Sequence, residues 1–474
     1  MRDLAVAIVI FGLLPAILWR PYIGALTWAW LAFMIPHRLA FGWAHNFPFS
    51  QIVAITTLIA LVLWKDRKPF PWGPIPKMLI LFVVWMSVTS LFALAAPEVI
   101  FEAWLRVFKI HLMLLVTLML IRGREQIEQL IWVIVLSLGY YGVKGGIWTV
   151  LRGGAERVWG PPGGAIEGNN ELALALVMLV PLMYYLMSTT SRKLVKYALI
   201  FCMAACTASV FGSQSRGAFL AVVAAVGMLA VKSRRPVILG VFGVAALGAM
   251  AAFMPATWID RMHTIDIVDE GTASQRMNTW RTLWNMALDR PIVGAGFETA
   301  LPEIFQRYSP VEDILAYSAH SIYFQALGEH GFVGLFIYLT LLLITWRQAS
   351  RVARLCRGKP GLEWGDLLMR MTQVSLLGFM VGGAFLGLLH FDFPYYLMAL
   401  VVMVDAALKE KTDSPSGKPV LPASRIALGA AGAPQSSPAG WSANSIGGGP
   451  RRASNQSSAT RSSDTSPTSA GSTK

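Results

Sequence analysis

The chain has 474 residues, of which 55% are hydrophobic and only 14% charged; a soluble domain of this length carries more charge, which excludes that class. The net charge of +14 lies mostly in short loops between apolar runs, the positive-inside pattern of membrane topology, which argues against a nucleic-acid partner. The three cysteines form no disulfide framework, since Cys202 and Cys206 fall inside one apolar run and Cys356 in a basic loop.

Apolar segments recur along most of the chain. They predict spans at roughly 4–19, 22–35, 51–64, 78–95, 99–121, 128–150, 170–188, 194–212, 217–231, 236–254, 320–346, 367–389 and 393–408. The expected fold is an all-α polytopic membrane protein of about 12–13 transmembrane helices. The first run lacks a small-residue cleavage site and reads as a span, not a cleaved leader. Basic clusters fall on every second loop: Lys65 to Lys77, Arg122 and Arg124, Arg192 to Lys196, Lys232 to Arg235, Arg347 to Lys359, and Lys409 with Lys411. That side is expected to be cytoplasmic. Loops 36–50, 96–98, 151–169, 213–216, 255–319 and 390–392 then lie outside. Two readings of the start stand side by side. Either 4–35 crosses twice, or the two segments broken at Arg20-Pro21 make one crossing, and the N-terminus changes side accordingly.

Residues 151–169 are rich in glycine and proline and read as a turn-rich loop, with Asn169 or Asn170 placed to cap the helix that follows. Within the long 255–319 loop, Met277, Trp280, Leu283, Trp284 and Ala287 recur near helical spacing. They predict a helix over Ser274–Leu288, capped by Thr272 or Ser274 and ended by Arg290-Pro291. Gly294-Ala295-Gly296-Phe297 reads as a turn. Beyond Lys411 the composition shifts to Ser, Gly, Ala, Pro and Thr, and a disordered cytoplasmic tail is expected. The domain division is therefore an N-terminal transmembrane region over 1–150, a transmembrane domain with the long loop over 151–410, and a tail over 411–474.

Candidate chemistry gathers at the outer ends of the spans. His320 starts an apolar run; neutral imidazole there suits a general base, because a helix N-terminus disfavours imidazolium. Arg216, at another span start, offers a guanidinium fork for phosphate. Arg276 and Arg281 stand five residues apart on the predicted loop helix and do not share one face closely; Arg276, placed at the helix start, is the cation an anionic ligand would relieve. Glu102, Arg106 and Lys109 fall on one face of a span, where charges are costly and face a cavity. Lys144 is a weaker case of the same kind. His390 and Asp392 border the last outer turn, beside the same cavity. No Asp-x-Asp, HExxH, Walker loop or cysteine-rich spacing occurs. His263, Asp266, Asp269 and Glu270 have no ligand spacing and read as a solvated loop, so no metal or other cofactor is expected.

Several short motifs occur in a fixed order: Ser215-Arg216-Gly217-Ala218; Ser274-x-Arg276 followed by Trp280; Pro291-x-x-Gly294-x-Gly296-Phe297; His320-Ser321-x-Tyr323-x-Gln325; and Glu329-x-Gly331-x-x-Gly334-Leu335. Together they resemble the O-antigen ligase and polymerase superfamily of bacteria. Arg157 to Gly163 and Asn169-Asn170-Glu171-Leu172-Ala173 are similar to the branch of O-glycosylation ligases associated with the exosortase A system. That family has His-Asn where this chain has His320-Ser321. The resemblance implies a metal-independent glycosyltransferase of GT-C-like architecture in the inner membrane. Its donor would be a glycan on undecaprenyl diphosphate, its acceptor a hydroxyl group, and its active site would face the periplasm. His320 would activate the acceptor, while Arg216 and Arg276 hold the diphosphate; Arg281, Arg106 and Asn170 are further candidates for binding substrate. A polymerase acting on the lipid carrier and a polysaccharide flippase remain the alternatives.

Overall fold

The computed structural model describes residues 2–65, 68–232, 248, 270–311 and 315–413. The expected span 236–254, apart from Gly248, lies outside the described residues, as do His263, Asp266, Asp269 and the tail beyond Asp413. The helices are α1 (Arg2–Trp19), α2 (Tyr22–Met34), α3 (Phe49–Leu63), α4 (Pro74–Leu91), α5 (Pro97–Leu120), α6 (Gly123–Leu151), α7 (Asn169–Thr189), α8 (Lys193–Gly212), α9 (Arg216–Lys232), α10 (Glu270–Asp289), α11 (Pro302–Tyr308), α12 (Ile322–Cys356), α13 (Glu363–Gly382) and α14 (Asp392–Asp413). No strand occurs among the described residues. Eight of these segments are long and apolar enough to cross a membrane: α1, α4 to α8, α12, and α13 with the short turn Gly383–Phe385. The apolar helices α2, α3 and α9 are shorter. The chain is an all-α polytopic membrane protein, and each expected span within the described residues meets a helix.

The core runs along α7. Its residues from Leu172 to Leu179 are buried on every side, as befits a helix apolar all round. Helix α13 packs beside it, and Ser375 Oγ donates to Met178 O at 2.7 Å. Between apolar helices such packing contacts and interhelical hydrogen bonds replace the hydrophobic drive of a water-soluble core.

One basic cluster differs from expectation. Arg347, Arg351 and Arg354 lie on α12, which continues to Cys356, not in a loop after Trp346. Arginine is a good helix former, and carboxylates from neighbouring helices hold this end. Arg351 pairs with Asp405 at 3.4 Å, and Asp366 pairs with Arg370 at 3.0 Å and Arg357 at 3.8 Å.

Helix α12 is broken at Gly331, whose φ of 69° and ψ of −174° are non-helical. A short helix from Ile322 therefore precedes the long apolar stretch, so His320 stands before the short piece and not at the foot of one continuous span. The sequence supplies what the break requires. Phe332 N donates to Pro291 O at 2.9 Å, while the carbonyls of Gly328 and Glu329 accept from Ala295 N at 2.8 Å and Gly296 N at 2.9 Å. The Pro291 to Gly296 turn thus takes over hydrogen bonds that an unbroken helix would make internally. Only glycine fits the contact: a Cβ at Gly294 would lie 2.6 Å from Gly331 N, and one at Gly331 would lie 2.4 Å from Ile292 O.

Two helices of the long loop sit beside this turn. Helix α10 already runs at Glu270, so neither Thr272 nor Ser274 caps it, and Arg276 lies in its second turn, not at its start. Its buried face is Thr279, Thr282, Leu283, Met286 and Ala287, whereas Met277 and Trp284 remain exposed. The face is rotated because Leu283, Met286, Ala295, Ile304, Tyr308 and Ala319 form a small core of their own. Asn285 Nδ2 donates to Tyr308 O at 3.0 Å, and Tyr308 OH donates to Asp289 Oδ2 at 2.7 Å, which binds α11 to α10.

Candidate functional site

His320 is held in the left-handed region at φ 44°. A non-glycine residue there costs on the order of 1–3 kcal/mol, strain that persists only when the surroundings impose it. The surroundings are specific. Trp280 of α10 donates from Nε1 to Ala319 O at 3.0 Å and stacks on Phe324, with ring centroids 5.1 Å apart. The backbone of His320 also faces Gly387, where a Cβ would lie 3.5 Å from His320 N. The imidazole is half-buried, and its hydrogen-bond partner among the described residues is Ser318 Oγ, 3.4 Å from Nε2. Burial, and then the guanidinium of Arg276, hold its pKa below the usual histidine value. The ring is neutral near pH 7, as a general base needs to be.

Arg216 opens α9. Ser215 caps this helix: its Oγ accepts from Ala218 N at 3.2 Å. The preceding residue, Gln214, has φ 57° and donates from Nε2 to Gly154 O at 3.1 Å, which fastens the turn to the 151–169 loop. Next to Arg216, a Cβ on Gly217 would lie 3.3 Å from Phe385 Cβ. The stretch from Phe385 to Gly387 therefore has the α9 start on one side and His320 on the other.

Neither Asn169 nor Asn170 caps α7; the cap position belongs to Gly168, with no side-chain cap bond. Asn169 is instead the first residue of the helix, buried, and donates from Nδ2 to Ser213 O at 2.8 Å. That bond fixes the turn leading to Arg216. Asn170 is half-buried in the same first turn. Glu171 beside it lies within electrostatic reach of Arg276, which brings the α7 start to the same place.

Arg106 is exposed on α5 and lines a cavity of about 220 Å³ together with Phe297, Ser318, Gln325, Glu329 and His390. His390 does border the cavity, as its place in the last turn suggests. Arg281 is exposed on α10, five residues from Arg276. Arg276 thus lies near both His320 and the α7 start that carries Asn170, the α9 start that carries Arg216 packs on Phe385 two residues from Gly387, and Arg106 lines the cavity next to Ser318; Arg281 is not brought among them by any described contact.

The fold also brings Glu329, His330 and His390 together, a grouping that no local spacing marks. Glu329 Oε2 lies 2.8 Å from His390 Nε2 and 3.6 Å from His330 Nε2. Gln325 Nε2 donates to Glu329 Oε1 at 3.0 Å, while its own Oε1 accepts from Leu389 N at 3.1 Å. The signal that was present is Glu329-His330 inside an apolar run, where an ionisable pair is expensive unless it is used. Its partner His390 is sixty positions away, beyond reach of any local pattern.

Residues 198–339 match a family model described as O-antigen ligase. The match includes Arg216, Arg276, Arg281, His320, Glu329 and His330. Residues 1–191, with Arg106 and Asn170, match a model described as a family of unknown function (DUF5935). No curated protein matches the chain. The O-antigen ligase match supports the superfamily read from the motifs, and with it an enzyme of glycan transfer or polymerisation at the membrane.

Proposed function

We propose that this protein transfers a glycan from undecaprenyl diphosphate to an acceptor hydroxyl, of a protein or a lipid, at the periplasmic face of the bacterial inner membrane. It would belong to the O-glycosylation ligase branch associated with the exosortase A system, and its transfer step uses no metal. The observation that carries this reading is His320, a neutral imidazole on a strained backbone beside Arg276 within the O-antigen ligase match.

In the proposed step, His320 Nε2 takes the proton of the acceptor hydroxyl. Ser318 Oγ, 3.4 Å away, marks a direction from which a hydroxyl reaches that nitrogen. The acceptor oxygen attacks the anomeric carbon, the bond from that carbon to the diphosphate oxygen breaks, and undecaprenyl diphosphate leaves. Charge grows on the diphosphate as the bond breaks. Arg216 and Arg276 hold it, because guanidinium groups bind phosphate oxygens in pairs and stabilise charge most where it develops. Arg106 and Asn170 contact the donor or acceptor beside them, and Arg281 adds positive potential from α10.

The test is a transfer assay with purified protein, undecaprenyl-diphosphate glycan and a separate acceptor. Glycan on the acceptor supports the ligase. Longer glycan on the same lipid would replace it with a polymerase, and lipid-linked glycan crossing a vesicle membrane without transfer would replace it with a flippase.

A further inference from the structure

The cluster behind the cavity has a feature that packing does not explain. His330 is fully buried, and its Nε2 has no hydrogen-bond partner. Its Nδ1 lies 2.8 Å from Thr89 Oγ1, whose hydroxyl donates to Met86 O at 3.0 Å. Nε2 faces Glu329 Oε2 at 3.6 Å, too far for a good hydrogen bond, in an interior where an unsatisfied polar atom is costly. A cation between the two atoms would satisfy both.

We propose that Glu329, His330 and His390 bind one divalent transition-metal ion of the zinc class. Their ligand atoms all lie within 4.8 Å of one another. Bonds of about 2.0–2.2 Å to imidazole nitrogen and carboxylate oxygen suit separations of roughly 3–4 Å. The 3.6 Å separation between Glu329 and His330 already fits, the 2.8 Å one to His390 would have to open slightly, and all three ligand atoms lie near enough for small side-chain turns to complete the set. Two imidazoles and one carboxylate form a donor set that zinc accepts. The outer partners are those such a site needs: Thr89 orients His330 through Nδ1, and Gln325 holds the second oxygen of Glu329. Phe297 lies 5.1 Å from His330 and 5.2 Å from His390, centroid to centroid, and closes one side. On the other side Glu329 and His390 line the 220 Å³ cavity, which leaves room for a fourth ligand. The ion would join the short helix after His320 to the turn that carries His390, beside the break at Gly331. Its role is positional, and it stays outside the proposed transfer step on His320.

The full chain is purified in detergent with an affinity tag free of histidine, equilibrated with a slight excess of zinc, and desalted into metal-free buffer. Elemental analysis is expected to find about one zinc per chain, and cobalt in its place gives the visible bands of a four-coordinate nitrogen–oxygen site. Glu329→Gln, His330→Ala and His390→Ala should each reduce retained zinc at least tenfold, whereas His320→Ala keeps it. Wild-type protein that retains no zinc and gives no such cobalt spectrum overturns the proposal, and it does so even where a variant fails to fold. Zinc lost in His320→Ala but kept in folded His330→Gln and His390→Gln overturns it too. None of these readouts depends on whether glycan transfer is the correct reading.

Discussion

Gly331→Ala tests the join between the broken helix and the turn that feeds it. The residue sits at φ 69°, ψ −174°, a region open essentially to glycine alone, and a side chain there costs about 1–3 kcal/mol. The new Cβ would also lie 2.4 Å from Ile292 O and 2.7 Å from Pro291 O. Both are backbone atoms, so relief requires the turn itself to move. Movement weakens the bonds from Phe332, Ala295 and Gly296 across the junction; losing one or two, at about 0.5–1.5 kcal/mol each, brings the total to roughly 1.5–6 kcal/mol. Thermal unfolding in detergent, followed by tryptophan fluorescence at a fixed scan rate, reads the effect. Gly12→Ala is the control, because nothing lies within 4 Å of a Cβ there. The melting temperature should fall clearly for Gly331→Ala and not for Gly12→Ala. Equal melting of Gly331→Ala and wild type would show that the junction does not hold this end of the fold.

Further outcomes follow from the candidate site. Because burial and then Arg276 hold the pKa of His320 below 6.5, the acid limb of transfer should have its midpoint below that value. Arg276→Gln should move it part of the way back, with burial still acting; a midpoint that does not move would remove Arg276 from the environment of the base. The same shift has a sign for stability: below pH 6.5 the unfolded chain takes up this proton first, so His320 disfavours the folded state increasingly as the pH falls. Arg216→Lys should cut transfer strongly while the protein still inserts, since an ammonium cannot replace the two-pronged fork; full activity would exclude that contact. Asn169→Ala removes the donor to Ser213 O at 2.8 Å and should cost about 1–3 kcal/mol, together with weaker donor binding through the displaced turn of Arg216. Unchanged melting would show that this bond contributes nothing net.

Much of the fold is legible because span length and apolar composition are dictated locally by the bilayer. The motifs were legible as separate pieces. That Pro291 to Gly296 docks into a break at Gly331 was not, because exchange of backbone hydrogen bonds leaves no pattern in side-chain chemistry. The caps were misplaced for a related reason. Asn169 has the composition of a cap, yet the partner that claims its side chain is Ser213, forty-four residues on. On α10, spacing alone chose Met277 and Trp284 as inward residues, while tertiary contacts with α11 and the Ala295 turn rotated the face. In the site, His320 and Arg216 stood out through their places at span starts. The grouping of Glu329, His330 and His390 needed the fold, since it joins the broken helix to a turn sixty residues later.

The most direct test of the account is glycan transfer by purified wild type beside His320→Ala, each supplied with undecaprenyl-diphosphate glycan and a separate acceptor, after confirming that both insert and melt alike. Glycan should reach the acceptor with wild type, and His320→Ala should abolish transfer. Transfer by His320→Ala at near the wild-type rate would contradict it and move the base elsewhere.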